Sequence, residues 1–331
     1  MTAGSVGFVI IGRNEGDRLA RCLETCLATE APVVYVDSGS TDGSAERARD
    51  LGAEVIDLDM TKPFTAARAR NEGLDHLIAQ SPGLEFVQFV DGDCELLPDW
   101  LSASMQEMVA RPKVGVVWGN RLERHPDKTV YNRLTHVEWL YNFPYGDVGA
   151  CGGDSLMRVE AFHAVDGFDS ALISGEEPEL CFRLRHAGWI IFHIDADRAL
   201  HDVDMQRFGQ WWKRSRRAGY AFTQGALMHG RESPERYWVR ESLSILFWGA
   251  ALPGAIVLGA IADPRMLAAF VVYPLSVVRV QGRMRKRGCS SRDAWLYAFF
   301  CYLSKFPAFG GQLQCLGQRL ARRQGSIIEY K

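Results

Sequence analysis

Two aspartates, Asp91 and Asp93, follow the apolar run Phe86-Val87-Gln88-Phe89-Val90. Carboxylates at the end of a buried strand suit a hard divalent cation, Mg2+ or Mn2+, which takes oxygen ligands and often shares them with substrate phosphates. The same Asp-Gly-Asp triplet also satisfies an ordinary strand-to-loop turn. Asp37 ends a second apolar run, Val33-Val34-Tyr35-Val36, where it could accept hydrogen bonds from a base or a ribose. Ser40, Thr41 or Asp42 is placed to cap the helix that follows. Glu176, Glu177 and Glu179 cluster at a third helix start, which the macrodipole favours electrostatically. Glu176 or Glu177, presented by the loop containing Gly175, could instead serve as a general base. His201 closes the run 196–201, and a lone histidine there is structural or exposed unless a partner makes it a ligand.

The elements that must position these groups alternate. Strands are expected at 6–11, 33–37, 53–57, 85–90 and 114–118, with helices at 16–28, 42–51, 64–80 and 98–110. That alternation predicts an α/β fold with a mainly parallel central sheet and helices on both faces. Ligands bind such sheets beyond the carboxyl ends of the strands, where Arg13-Asn14-Glu15, Asp37 and Asp91-Gly92-Asp93 all fall. Residues 120–205 read as a second half of the same domain, with helices at 129–141, 158–164 and 176–187, a glycine-rich stretch at 149–153 and a strand at 189–194.

With 331 residues, the chain has room for one large domain or two modest ones. A formal charge of -2 argues against a nucleic-acid binder. The eight cysteines lack the paired clusters of a zinc site and are expected to be reduced thiols. The first strand begins almost at once, so no signal sequence is expected and the first domain should face the cytoplasm.

The C-terminal third has a different character. Residues 206–240 read as connecting helices, in which Trp211, Trp212, Lys213, Arg214, Arg216 and Arg217 suit either an amphipathic helix near a membrane or a diphosphate, or a solvated basic face. Residues 242–262 form an uncharged run of bilayer-spanning length, with Pro253-Gly254 at its centre. Asp263-Pro264 starts a second apolar run to Val278 that is short for a full span, so the two runs could form a hairpin, spanning or re-entrant, within a hydrophobic helical membrane-associated region at 241–331. Arg279, Arg283, Arg285, Lys286 and Arg287 then match the cytoplasmic flank of a membrane segment. A third stretch at 294–316 is interrupted by Lys305 and Pro307. The alternative for the whole tail is a buried helical subdomain.

The residues together resemble glycosyltransferase family 2, nucleotide-sugar enzymes with the glycosyltransferase A-type fold. The resemblance covers roughly residues 5–205. It rests on an ordered set: Val9-Ile10-Ile11-Gly12-Arg13-Asn14-Glu15, Val36-Asp37-Ser38-Gly39-Ser40-Thr41-Asp42-Gly43, Ala69-Arg70-Asn71-Glu72-Gly73, Asp91-Gly92-Asp93, Gly152-Gly153-Asp154-Ser155, Gly175-Glu176-Glu177 and His201.

By that resemblance Asp37 recognises the nucleoside, Arg13, Arg70 and Asn71 lie near the donor, and Asp91 contacts ribose or metal-bound water. Asp93 and His201, with Asp91 beside them, hold the divalent metal; Gly153 and Asp154 lie on the acceptor side. The family's base falls on Glu177, or else on Glu176, and is expected to be ionised at neutral pH. The implied activity is metal-dependent, inverting transfer from a nucleotide diphosphate-sugar to a lipid-linked or growing glycan acceptor at the cytoplasmic membrane. A nucleotidyltransferase would need a glycine-rich basic loop, for which Gly12-Arg13-Asn14-Glu15-Gly16 is too short and acidic. A non-catalytic glycan-binding scaffold would have lost acids that are all present here.

Overall fold

The computed structural model describes residues 6–231 and 233–322. These residues form two compact units, one made of those up to His125 with Asn142–Val203, the other of Pro126–Tyr141 with those from Asp204 onward. Helix 129–141, expected within the catalytic half, therefore belongs to the second unit. Arg133 explains why: its Nε and Nη2 donate to the two carboxylate oxygens of the buried Asp293, both at 2.8 Å. Val137 packs with Met284, Cys289 and Ala294 behind that pair.

The first unit is a nine-stranded sheet: β1 Val6–Gly12, β2 Val33–Asp37, β3 Glu54–Asp57, β4 Phe86–Asp91, β5 Cys94–Leu96, β6 Val114–Glu123, β7 Gly146–Asp147, β8 Ser155–Arg158 and β9 Ile190–His201. Its spatial order is β3-β2-β1-β4-β8-β6-β9-β5, with β7 on β9. β1 pairs in parallel with β2 and β4, so the connections diverge between β1 and β4, which is where sheets of this type bind ligands. Alternate residues of β1 face opposite ways: Phe8 and Ile10 enter one apolar core, Val9 and Ile11 the other. That two-sided burial is what the continuous apolar runs required.

Beyond β4 the sheet turns mixed. β8 is antiparallel to β4 and β6, and β5 to β9. β6 and β9 also run well past the apolar cores that reveal them in sequence, to Glu123 and His201. Pairing holds these polar ends as strand: Glu123 lies opposite His201, and His201 opposite Cys94.

In the second unit, helix Phe208–His229 packs on Lys305–Leu320 through glycine. A Cβ on Gly219 would lie 2.0 Å from the Ala308 carbonyl oxygen, and one on Gly311 2.0 Å from that of Arg216. Among the described residues one helix, Val239–Ala262, is long and apolar enough to cross a membrane, and most of it is not buried. The second apolar run has a different winding. Residues Pro264–Val271 wind as a 3-10 helix and Val272–Lys286 as an α-helix that soon becomes basic.

Pro253 is accommodated by a change of winding. Phe247–Ala251 is π-helical, with the N–H of Leu252 bonded to the carbonyl of Phe247. Continuing that ladder, the carbonyl of Trp248 would pair with residue 253, which as proline has no N–H. The hydroxyl of Tyr273 donates to that carbonyl instead.

Candidate active site

Asp93 and His201 are brought together by a turn and a strand pair. β4 ends at Asp91, Gly92 and Asp93 make the turn, and β5 then pairs with β9 so that Cys94 lies opposite His201. The triplet is thus a turn as well as a site. His201 Nε2 lies 3.3 Å from Asp93 Oδ2, and both side chains are buried. With Cys94 they place a carboxylate oxygen, a thiol and an imidazole nitrogen within 4.8 Å of one another. Burial holds the His201 imidazole below its usual pKa, in the neutral form that ligates metals. Asp93 and His201 could supply an oxygen and a nitrogen donor to a divalent ion such as Mn2+.

A residue not singled out in the sequence completes this pair. Glu123 Oε2 lies 3.6 Å from His201 Nδ1, and its two carboxylate oxygens accept from the backbone N–H groups of His125 and Val203, both at 3.2 Å. A carboxylate behind a ligating histidine fixes its tautomer and ring plane. Its signal was obscured because Glu123 sits five residues beyond the apolar part of its strand.

A second cluster gathers around Arg70. Helix Ala66–Gln80, capped by Thr65, aims this buried guanidinium at three acids. It reaches Asp91 at 2.8 Å, Glu176 at 3.0 Å and Glu177 at 3.1 Å. Burial pulls against the charge of Arg70, but those carboxylates outweigh it and hold the group more firmly protonated. Burial opposes ionisation of Asp91 too, and Arg70 with Arg121 overcomes it, so this carboxyl titrates well below the usual range. The Asp91 carboxylate is thus paired with Arg70 and Arg121.

Glu177 behaves differently. Burial and the neighbouring Glu176 push its pKa up to about 7, with Arg70 opposing. The expectation of an ordinary, fully ionised carboxylate is corrected here. Gly175, at φ +83°, turns the chain so that Glu176 and Glu177 open helix Glu176–His186 beside Arg70. Gly153 lies against the same groups: a Cβ there would be 2.6 Å from Arg70 Nη2, 2.9 Å from Asp91 Oδ2 and 3.0 Å from Glu177 Oε1.

Asp154 is fully buried beneath this cluster. Its Oδ1 accepts from the Asp91 N–H at 2.8 Å, while Oδ2 takes Arg121, Cys94 at 3.3 Å and Arg198 at 3.5 Å. It therefore acts as the floor of the site. Arg121 and Arg198, both absent from the sequence reading, lie on the extended ends of β6 and β9.

The remaining candidates sit elsewhere. Asp37 accepts from Tyr35 Oη at 2.9 Å and from the N–H groups of Gly39 and Ser40 at 3.0 and 2.7 Å, so its carboxylate organises the turn itself. Asn71 clasps the 168–170 loop, donating to the Phe168 carbonyl and Ser170 Oγ and accepting from the Phe168 N–H. Arg13 lies over the Phe64 ring at 4.6 Å.

The sheet diverges between β1 and β4, and acids and arginines gather past those strand ends. Solved structures share the fold. The mannosyltransferase PcManGT from Pyrobaculum calidifontis, in complex with GDP-Man and Mn2+, superposes with a TM-score of 0.64 at 18% identity, over 93% of this chain and 87% of that one. S. aureus TarS 1-349 gives 0.52 at 16% identity, over 89% of each. Residues 8–165 match the glycosyl transferase family 2 model.

By sequence it is 30% identical over 221 residues to the succinoglycan biosynthesis protein ExoA of Rhizobium meliloti (strain 1021), over 59% of this chain and 62% of that one. It is 25% identical over 226 residues to glycosyltransferase AglE of Haloferax volcanii, over 65% and 71%. The match to ExoA thus spans less than two thirds of that protein's length. The family match ends before Glu176, Glu177 and His201, so their association with Asp91 and Asp93 is a finding of the structure.

Proposed function

We propose that the protein is a metal-dependent, inverting glycosyltransferase. It moves a sugar from a nucleoside diphosphate-sugar to a lipid-linked or growing glycan acceptor at the cytoplasmic face of a membrane. The observation that carries this reading is the contact between Asp93 and His201, two groups distant in sequence that the β5–β9 pairing brings to 3.3 Å. The GDP-Man and Mn2+ of the Pyrobaculum enzyme and the biosynthetic role in the name of ExoA support it.

Asp93 and His201 would hold the cation, which when bound supplies a Lewis acid for the charge developing on the leaving diphosphate. Glu177 takes the proton of the acceptor hydroxyl as that oxygen attacks the anomeric carbon. Arg70 fixes Glu177 against Asp91 and Glu176, so the base is oriented before the substrate arrives. One displacement, with the nucleoside diphosphate leaving from the opposite face, inverts the anomeric configuration. Helix Val239–Ala262 and the basic residues at Arg279–Arg287 support attachment to the membrane.

The test is nucleoside diphosphate release by the purified full chain, supplied with Mn2+ and a panel of nucleotide sugars, against an Asp93→Ala control. Equal release by the two proteins overturns the reading.

A further inference from the structure

We propose that a platform of aromatic rings at the Gly146 end of the glycine-rich loop binds a neutral pyranose unit of the acceptor glycan. The proposal rests on the glycosyltransferase reading and extends it to an acceptor subsite. Trp118 and His193 stack with centroids 4.1 Å apart, and Phe143 and Tyr145 pack on them at 4.9 Å. Trp118 and His193 are buried, whereas Phe143 is 42% and Tyr145 53% exposed. A rigid buried pair thus supports two aromatic groups that water reaches, the arrangement on which the apolar face of a sugar ring stacks.

The buried pair carries two polar atoms that its neighbours do not satisfy. His193 Nδ1 lies 2.8 Å from the Pro144 carbonyl oxygen, an acceptor, so Nδ1 carries the proton and Nε2 is left as an acceptor. Nε2 of His193 and Nε1–H of Trp118 are both buried without a hydrogen-bond partner.

The rim selects the class of ligand. Tyr145 Oη donates to Asn120 Oδ1 at 3.3 Å, and Asn120 Nδ2 donates to Asp195 at 3.4 Å and Asp197 at 3.3 Å. Two exposed carboxylates repel phosphate and accept from vicinal hydroxyls, so the patch suits a neutral sugar and not the nucleotide end of the donor. Its position is consistent with the acceptor side. Arg198 lies over the Trp118 ring at 5.9 Å and reaches Asp154 at 3.5 Å, joining the platform to the floor of the site. The chain itself runs from Tyr145 through β7 to Gly153, beside Glu177.

The experiment titrates the full chain with soluble di- to tetrasaccharides of glucose, galactose and mannose, following tryptophan fluorescence and calorimetry. Nucleoside diphosphate binding with Mn2+ is measured in parallel. At least one oligosaccharide should bind, and Tyr145→Ala should weaken it roughly fivefold to tenfold, as loss of one aromatic contact predicts. Tyr145→Phe should retain most of the affinity, and both variants should bind nucleoside diphosphate as the wild type does. Absence of saccharide binding by the wild type, or equal binding by Tyr145→Ala, overturns the platform. Loss of nucleoside diphosphate binding by the wild type would instead strike the glycosyltransferase reading on which the platform rests.

Discussion

Arg70 Nη2 lies 3.1 Å from Glu177 Oε1, and the same guanidinium also holds Asp91 and Glu176. Arg121 and Arg198 add two charges and Asp154 one more acid, so four carboxylates face three guanidiniums. The surplus negative charge is relieved at Glu177, the acid raised to about 7. A base must be ionised to act, so turnover should rise with pH through about 7 and level off above it. In the Glu177→Gln variant turnover should fall to background at every pH while nucleotide binding persists. A pH–rate profile with its inflection near 4, or an active Glu177→Gln enzyme, would move the base elsewhere.

Gly153 has no room for a side chain beside Arg70, Asp91 and Glu177. Gly153→Ala must therefore push these groups apart, which overpacking data put at about 1–3 kcal/mol of stability. Because the displaced groups are those of the site, the loss of turnover should exceed what lowered stability explains at 20 °C. The check is chemical denaturation and steady-state turnover on one preparation. A variant as active as the wild type would mean that the Arg70 cluster tolerates displacement.

Much of the first unit was legible because its parallel strands are buried on both faces. β1, β2 and β4 appear as unbroken apolar runs, and the acids that end them stand out against that background. The polar extensions of β6 and β9 carry no such signal. Arg121, Glu123 and Arg198 are held as strand by the pairing of β6 with β9, which periodicity does not reveal. Asp37 and Asn71 show the converse: both sit where donor contacts were expected, yet their hydrogen bonds close a turn and a loop. In the C-terminal third, apolar length identified the helix Val239–Ala262. The second run was already short for a full span in sequence, but its 3-10 winding carries no hydropathy signal.

Glu123 tests the metal site without replacing a proposed ligand. Its carboxylate faces His201 Nδ1 while Asp93 faces Nε2. Removing such a supporting acid typically weakens metal affinity about 10- to 100-fold. Glu123→Gln should show that loss for Mn2+ by calorimetry or electron paramagnetic resonance, and excess Mn2+ should restore turnover. His201→Ala should bind Mn2+ more weakly still. If Glu123→Gln binds Mn2+ like the wild type, Glu123 is only a brace for the 123–125 and 203 backbone.

Pro253 and Tyr273 make a pair whose coupling can be measured. The proline leaves the carbonyl of Trp248 without the N–H that π-helical pairing would supply, and Tyr273 Oη donates to it. Tyr273→Phe leaves that carbonyl unsatisfied and should cost about 1–2 kcal/mol. Pro253→Ala returns an N–H at the right position in the ladder, so in that background Tyr273→Phe should cost less. The four proteins form a double-mutant cycle, read by thermal unfolding of the full chain in one detergent. An interaction energy of about 1 kcal/mol is expected between these two positions. Additive effects would show that Tyr273 stabilises the helix through its packing on Trp248 and Tyr302, not by replacing the donor that proline lacks.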